Sequence, residues 1–442
     1  MCNAELIESL ASAYDAAPKI DAHTHLSWRQ PAATAVEDIV FYHMLGAEWN
    51  AAGIQPHVPE HRRSHSHSPT DWTTLLQAAG NVAPRIRNSA LARALLAIGR
   101  DLFAITRQHL DANFLQELNA AVASRADLAA WAEHLFDRLH LVAVMSSNCG
   151  GSADLQVFPQ RVHQRIQPTY ERDFFLPAKH ARAIVAHIKT HHGIDITDLD
   201  SATAWFWHDM TSLYQVGARI QVKWFPPTEL MATLDKDRAA AAIRSALAGQ
   251  EPSPEEAAAL ATYMFAQRLA FARAHGQTVQ ICSMAVHITQ DTYTLPLTSE
   301  VFLRNLVAWI DRTPDVNFDI LNCDPVTEPF FLSLARTRPN VYLCGVWWHA
   351  MSDAWIEEMF YRRFLTVPLC KLSGFFSDAY CAEWIYGKHV LMRSGIVRAL
   401  ARAVHAGVFT PDECPAVLRQ LLYETPARLA GLPSTREQPV SG

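Results

Sequence analysis

Apolar positions along the chain fall into short runs separated by amphipathic stretches. The run KIDAHTHL (Lys19–Leu26) follows an amphipathic segment, and the next of its kind is LVAVM (Leu141–Met145). From there short apolar runs alternate with helical periodicity: RIQVKWF (Arg219–Phe225), TVQICSM (Thr278–Met284), VNFDILNC (Val316–Cys323), VYLCGV (Val341–Val346) and Pro368–Leu372. Runs this short, apolar at both parities, suit parallel strands covered on both faces. A weaker run within Leu155–Phe158 or Gln160–Ile166 supplies one more strand. That makes eight βα units and predicts an α/β (β/α)8 barrel, the TIM barrel, with an open doubly wound sheet as the alternative. Roughly 115 residues separate the first two runs, against about 2–6 for a strand-to-helix loop. Helical periodicity covers Ala90–His109 and Asp127–His140, where Leu128, Trp131, Leu135 and Leu139 share a face. The predicted organisation is a helix and first strand over 1–26, a mainly helical insertion over 27–140, the rest of the barrel over 141–432, and a flexible tail over 433–442. Ser253-Pro254-Glu255-Glu256 predicts a helix start, and Gly276 its end.

Composition narrows the function classes. The chain has 442 residues, half of them hydrophobic and 19% charged, which excludes disorder as the main state. No uninterrupted apolar run reaches the ~18 residues that a membrane span needs, and the N-terminus lacks the basic start of a secretory signal. The net charge of −6 speaks against a nucleic-acid partner. Eight widely spaced cysteines without a CxxC pair suggest reduced, buried thiols in a cytoplasmic protein, with Cys282, Cys323, Cys344 and Cys370 inside strand-like runs. The expected partner is a small molecule; association into a homo-oligomer is left open. No GxGxxG, GxxxxGK[ST] or GxSxG follows a strand, so neither a nucleotide cradle nor a serine-nucleophile elbow is supported.

The sharpest chemical feature is His23-Thr24-His25. Residues i and i+2 of a strand point the same way, so both imidazoles leave the first strand together and can share a divalent metal; Asp21 lies on the same side. His65-Ser66-His67 has the same spacing but sits in the polar stretch His61–Pro69, which reads as a solvated loop. The second feature is GFFSDAY (Gly374–Tyr380), after the last strand and before a long helix. Asp378 there can ligate a metal or act as a base at the mouth of the barrel, or it can merely cap the helix.

With DAHTHL, SDAY and the closing YETPARLAGL (Tyr423–Leu432), the chain resembles the amidohydrolase superfamily of metal-dependent barrels. Within it the chain looks most like the uronate isomerases, through the long helical stretch after the first strand, FYHMLGAEWNAAG (Phe41–Gly53), QICSM after ARAHGQ, and GVWW (Gly345–Trp348). The resemblance implies one divalent ion, zinc first, on His23, His25 and Asp378. It implies a pocket lined by Tyr42, His43 and Trp347 or Trp348, with Arg161 or Arg165 on a substrate carboxylate; Asp378, Tyr380 and His43 are the candidate catalytic residues. The implied reaction is aldose–ketose isomerisation of a uronate. Metal-dependent hydrolysis of a C–N or C–O bond is the alternative, and a non-catalytic barrel scaffold a third. The chain departs from the isomerase pattern at Tyr380, where an arginine is usual, at Arg29 and Gln30 in place of a histidine beyond HxH, and at Cys282 in place of a fifth-strand histidine.

Several residues stay open at this level. Lys223 reads as an inward lysine paired with a carboxylate such as Asp324, or as a carboxylated bridge between two metals. His287 could replace a missing ligand, and Asn322-Cys323-Asp324 could place Asp324 in the mouth or simply form a turn. His191-His192-Gly193 reads as a helix C-terminus, Trp205 and Trp207 as core, and Cys149 as a weak nucleophile candidate.

Overall fold

The computed structural model describes residues 4–55, 58, 71–148, 165–172, 178–225, 229–286, 295–322, 324–346 and 352–433. Eight strands, numbered in chain order, carry the architecture: β1 Lys19–Thr24, β2 Leu141–Ser146, β3 Ile166–Pro168, β4 Ile220–Trp224, β5 Thr278–Ser283, β6 Asn317–Asn322, β7 Val341–Cys344 and β8 Leu372–Ser373. β1 to β3 form one parallel sheet and β4 to β8 another, each in chain order. A parallel bridge between Tyr170 and Gln221 lies between the two sheets. Past β8 the backbone bonds to β1: Ala22 N donates to Phe375 O (3.1 Å), Asp378 N to His23 O (2.9 Å) and His25 N to Ala379 O (2.9 Å).

Helices alternate with the strands. α1 (Ala4–Ala16) precedes β1. Between β1 and β2 lie α2 (Val36–Val40), α3 (His43–Ala51), α4 (Trp72–Val82), α5 (Ala90–Phe103), α6 (Ala112–Ala123) and α7 (Leu128–Arg138). Asp71, Ser89, Asp111 and Asp127 cap α4 to α7 by accepting backbone N–H groups, which is why those helices start where they do. Then follow α8 (Ala178–His192), α9 (Leu199–Gln215), α10 (Lys236–Ala248), α11 (Pro254–His275), α12 (Glu300–Arg312), α13 (Glu328–Thr337), α14 (Asp353–Thr366) and α15 (Ala382–His405). α11 has the expected capping box on Ser253 and ends at Gly276 in the left-handed region (φ +60°). α8 ends at His192 before Gly193, as its sequence predicts. Trp205 is buried against aliphatic residues of α8, α10 and α11, a core role.

Strand register sorts side chains into two faces. Ile281, Ile320 and Leu343 are register partners, fully buried and apolar. One residue away, the other face is polar: Gln280 pairs with Asp319, and the next row runs Cys282, Leu321, Cys344, Ser373. Lys223 pairs with Ile281, so it leaves the sheet on the apolar face, with its ammonium 4.7 Å from the Phe225 ring centroid. Phe225 in turn packs on Phe265 of α11 and Phe302 of α12. The expectation of an inward Lys223 is therefore corrected: a shift of one residue in a strand exchanges the faces. Asp324 accepts from Thr298 Oγ1 and Val326 N, the turn arrangement.

Other expectations need adjusting. The helix expected to reach His109 stops at Phe103, where Ala104 turns left-handed (φ 55°). The third strand begins at Ile166, where the weak run was expected to end. Pro368–Leu372 is largely a 3-10 turn, Leu369–Lys371, closed by the bond from Lys371 N to Pro368 O (2.9 Å); Cys370 on that turn is exposed rather than buried. Among the described residues no helix is long and apolar enough to cross a membrane. The stretch His61–Pro69 and residues 434–442 lie outside the described residues.

Candidate metal centre

β1 is buried along its whole length, and it delivers His23 and His25 to its C-terminal end at 2% and 8% exposure. Asp378 arrives from the segment after β8 at 3% exposure. Its Oδ1 lies 3.5 Å from His23 Nε2 and 3.1 Å from His25 Nε2. The three ligand atoms lie within 4.8 Å of one another, forming the metal-capable group found among the described residues.

The surroundings hold this arrangement in place. Asp378 has φ +54°, a conformation that Asp adopts more readily than most residues. Its N–H is fixed by His23 O, and its carbonyl accepts from Tyr42 Oη at 3.0 Å. Ser377 N donates to Asp21 Oδ1 at 2.9 Å, which ties the same segment to β1 a second time. Asp378 is not a helix cap, because α15 begins only at Ala382 with Cys381 as its N-cap.

Each imidazole is engaged through its other nitrogen. His23 Nδ1 lies 2.8 Å from Gln280 Oε1, and His25 Nδ1 lies 2.8 Å from Ser147 Oγ and 3.6 Å from Glu171 Oε2. Both Nε2 atoms are thus left facing the carboxylate. His23 Nδ1 faces an amide oxygen, so a neutral His23 would point its Nε2 lone pair at the carboxylate, and a cation between them, a proton or a metal ion, makes that contact favourable. The donor set of two imidazole nitrogens and one carboxylate oxygen fits a zinc-like divalent ion. Burial would raise the Asp378 carboxyl, but hydrogen bonds from His23 and His25 hold it well below the usual carboxylate range. Burial opposes the His23 imidazolium, yet Asp378 and Glu171 push its pKa up. Burial raises Asp21 to about 7.

An aromatic wall closes one side. Tyr380 stacks on His25 (centroids 5.0 Å apart, 19° between planes) and meets the edge of His43 at 5.0 Å. Tyr42 stacks on Trp384 at 4.5 Å, and His43 Nε2 lies 4.0 Å from Asp378 Oδ2. The structure thus brings together His23, His25, Asp378, Tyr42, His43 and Tyr380. It does not bring Arg165: that residue stands at the N-terminal end of β3, ion-paired to Asp137 at 2.5 Å, while β1 presents the two histidines at its C-terminal end. Arg161, Trp347, Trp348, His287 and Cys149 lie outside the described residues. Sequence reading missed Gln280, Ser147 and Glu171. Only Gln280 left a signal, since it shares strand parity with Cys282, the residue weighed on the fifth strand.

Neither a family model nor a curated protein sequence matches the chain. Solved structures do. The chain is similar to the uronate isomerase of Thermotoga maritima, with a TM-score of 0.80, 16% identity, and 97% of this chain and 98% of that chain covered. Against the glucuronate isomerase of Caulobacter crescentus the TM-score is 0.76 at 18% identity, over 99% and 95% of the two chains. Against a proposed metal-dependent hydrolase of Lactobacillus casei it is 0.58 at 15% identity, over 96% and 97%. The chain has the α/β fold of the uronate isomerases, with a buried His-His-Asp group at the end of its first strand.

Proposed function

We propose that this chain is a mononuclear metal enzyme that interconverts the aldose and ketose forms of a uronate or related polyhydroxy acid. The observation that carries the reading is the convergence of His23 Nε2, His25 Nε2 and Asp378 Oδ1 within a fold shared with uronate isomerases. The proposal includes closure of the eight strands into a (β/α)8 barrel, with residues 27–140 inserted after β1. The Tyr170–Gln221 bridge and the backbone bonds from Phe375 and Ala379 to β1 support closure. When bound, a divalent ion, with zinc expected, polarises a carbonyl or hydroxyl oxygen of the substrate.

The rest falls to the chain itself. Moving a proton between adjacent carbons needs a base beside the substrate. Asp378 Oδ2 and His43 Nε2, 4.0 Å apart, form the pair suited to hold and pass that proton. Tyr42 keeps Asp378 in place through its backbone, and the stacked Tyr380 holds the His25 ring. Arg161 is the proposed partner of the substrate carboxylate.

A second reading, hydrolysis of a C–N or C–O bond, is favoured by Glu171, which adds a carboxylate beside His25, and by Tyr380 standing where an isomerase usually has an arginine. Incubation with hexuronates in deuterium-containing water separates the two. The isomerase reading expects the keto acid, seen by NMR, with or without solvent label. Silence across all hexuronates, together with turnover of an amide or ester panel, moves the chain to the hydrolases.

A further inference from the structure

The hydrogen bonds behind His23 form a chain with a fixed direction. Gln280 Nε2 donates to Ala22 O at 3.2 Å and to Asp319 Oδ2 at 3.0 Å. A backbone carbonyl only accepts, so the amide cannot be reversed: its nitrogen faces Ala22 and Asp319, and its oxygen faces His23. That oxygen can only accept, so the 2.8 Å contact requires a proton on His23 Nδ1. Gln280 is fully buried, His23 and Asp319 are 2% exposed, and register seats Gln280 beside Asp319. No loop motion or solvent exchange is needed to keep the chain intact.

We infer that Gln280 and Asp319 are positioning residues which lock His23 in its Nδ1–H tautomer and thereby set how tightly the centre holds a divalent ion. The Asp319 carboxylate polarises the Gln280 amide, which strengthens its oxygen as an acceptor and makes His23 Nε2 a better donor to a metal. A metal-ligating histidine is commonly oriented by a carboxylate or carbonyl directly; here an amide is interposed, carrying the influence of β6 through β5 to β1. This inference rests on the metal-enzyme reading above.

The test uses full-length wild type, Gln280→Met and Asp319→Asn, with Zn2+ affinity measured by competition against a chromophoric chelator. Gln280→Met keeps the volume and removes the acceptor; its affinity is expected to fall about 10- to 100-fold. Asp319→Asn can still accept from Gln280 but lacks the charge, so its affinity should fall by less. A second measurement needs no variant. In metal-free wild type labelled with 15N-histidine, His23 Nδ1 should carry a proton wherever the protein stays folded, with the signal assigned by its loss in His23→Gln. A His23 protonated on Nε2 alone overturns the relay whatever the metal content. Equal Zn2+ affinity of Gln280→Met and wild type overturns it while leaving the centre standing. Failure of wild type to take up Zn2+ overturns the centre and the relay's consequence together.

Discussion

Asp378→Asn is expected to give a folded protein whose turnover falls by at least ~10²-fold, the low end of what general acid–base catalysis contributes. Asparagine accepts the left-handed backbone that position 378 requires (φ +54°). The two backbone bonds that hold the residue, to His23 O and from Tyr42 Oη, do not involve the side chain. An amide N–H can donate to one of the imidazole Nε2 atoms, but the interaction that holds the Asp378 carboxyl low is lost, so metal-free melting should fall modestly while the protein stays folded. What is lost is the negative charge that balances a divalent ion and the capacity to carry a proton. Turnover, metal content and melting are read on the same preparation. A metal-loaded Asp378→Asn protein with wild-type turnover would remove Asp378 from the chemistry.

Arg363→Met should lower stability by about 3–5 kcal/mol, the usual cost of breaking a buried ion pair from one side. Arg363 on α14 and Glu328 on α13 are 0% and 1% exposed, and their side chains meet at 2.8 Å. Arg363 also donates to the carbonyls of Cys344 and Gly345 at the C-terminal end of β7. Removing the guanidinium leaves Glu328 as an uncompensated buried charge, with Asn322 Nδ2 at 3.1 Å as a neutral partner. The double variant Arg363→Met, Glu328→Gln should recover part of the loss: the Glu328 charge is gone, while the Cys344 and Gly345 carbonyls still lack the guanidinium donor. Chemical denaturation of the three proteins checks this. A single variant within ~1 kcal/mol of wild type would mean that the pair is solvated in solution and not the buried contact seen here.

The legible and illegible parts of the site differ for physical reasons. His23 and His25 were legible because strand periodicity alone puts both on one side, and Asp378 because GFFSDAY follows the last strand, at the end of the sheet where the histidines lie. Lys223 was not, because its face depends on a one-residue register that no local pattern sets. The third unit failed at its boundary. With β3 placed too early, Arg165 looked like a residue of the pocket, whereas it precedes the strand and pairs with Asp137. Glu171, just past Tyr170 on that unit, went unseen for the same reason. Gln280 was passed over because a glutamine is no metal ligand, and its role appears only once Ala22 and Asp319 fix which way its amide points. Strand order was readable where apolar runs were long; the apolar run Pro368–Leu372 did not show that most of it is a turn leading into the two-residue β8.

The proposed chemistry requires a single metal ion on His23, His25 and Asp378. Anomalous diffraction at the zinc absorption edge, from crystals of protein loaded with Zn2+ and washed, tests it most directly. One strong peak is expected among the three side chains, bonded to both Nε2 atoms and a carboxylate oxygen. No peak there, or a second peak of equal strength beside it, would contradict it.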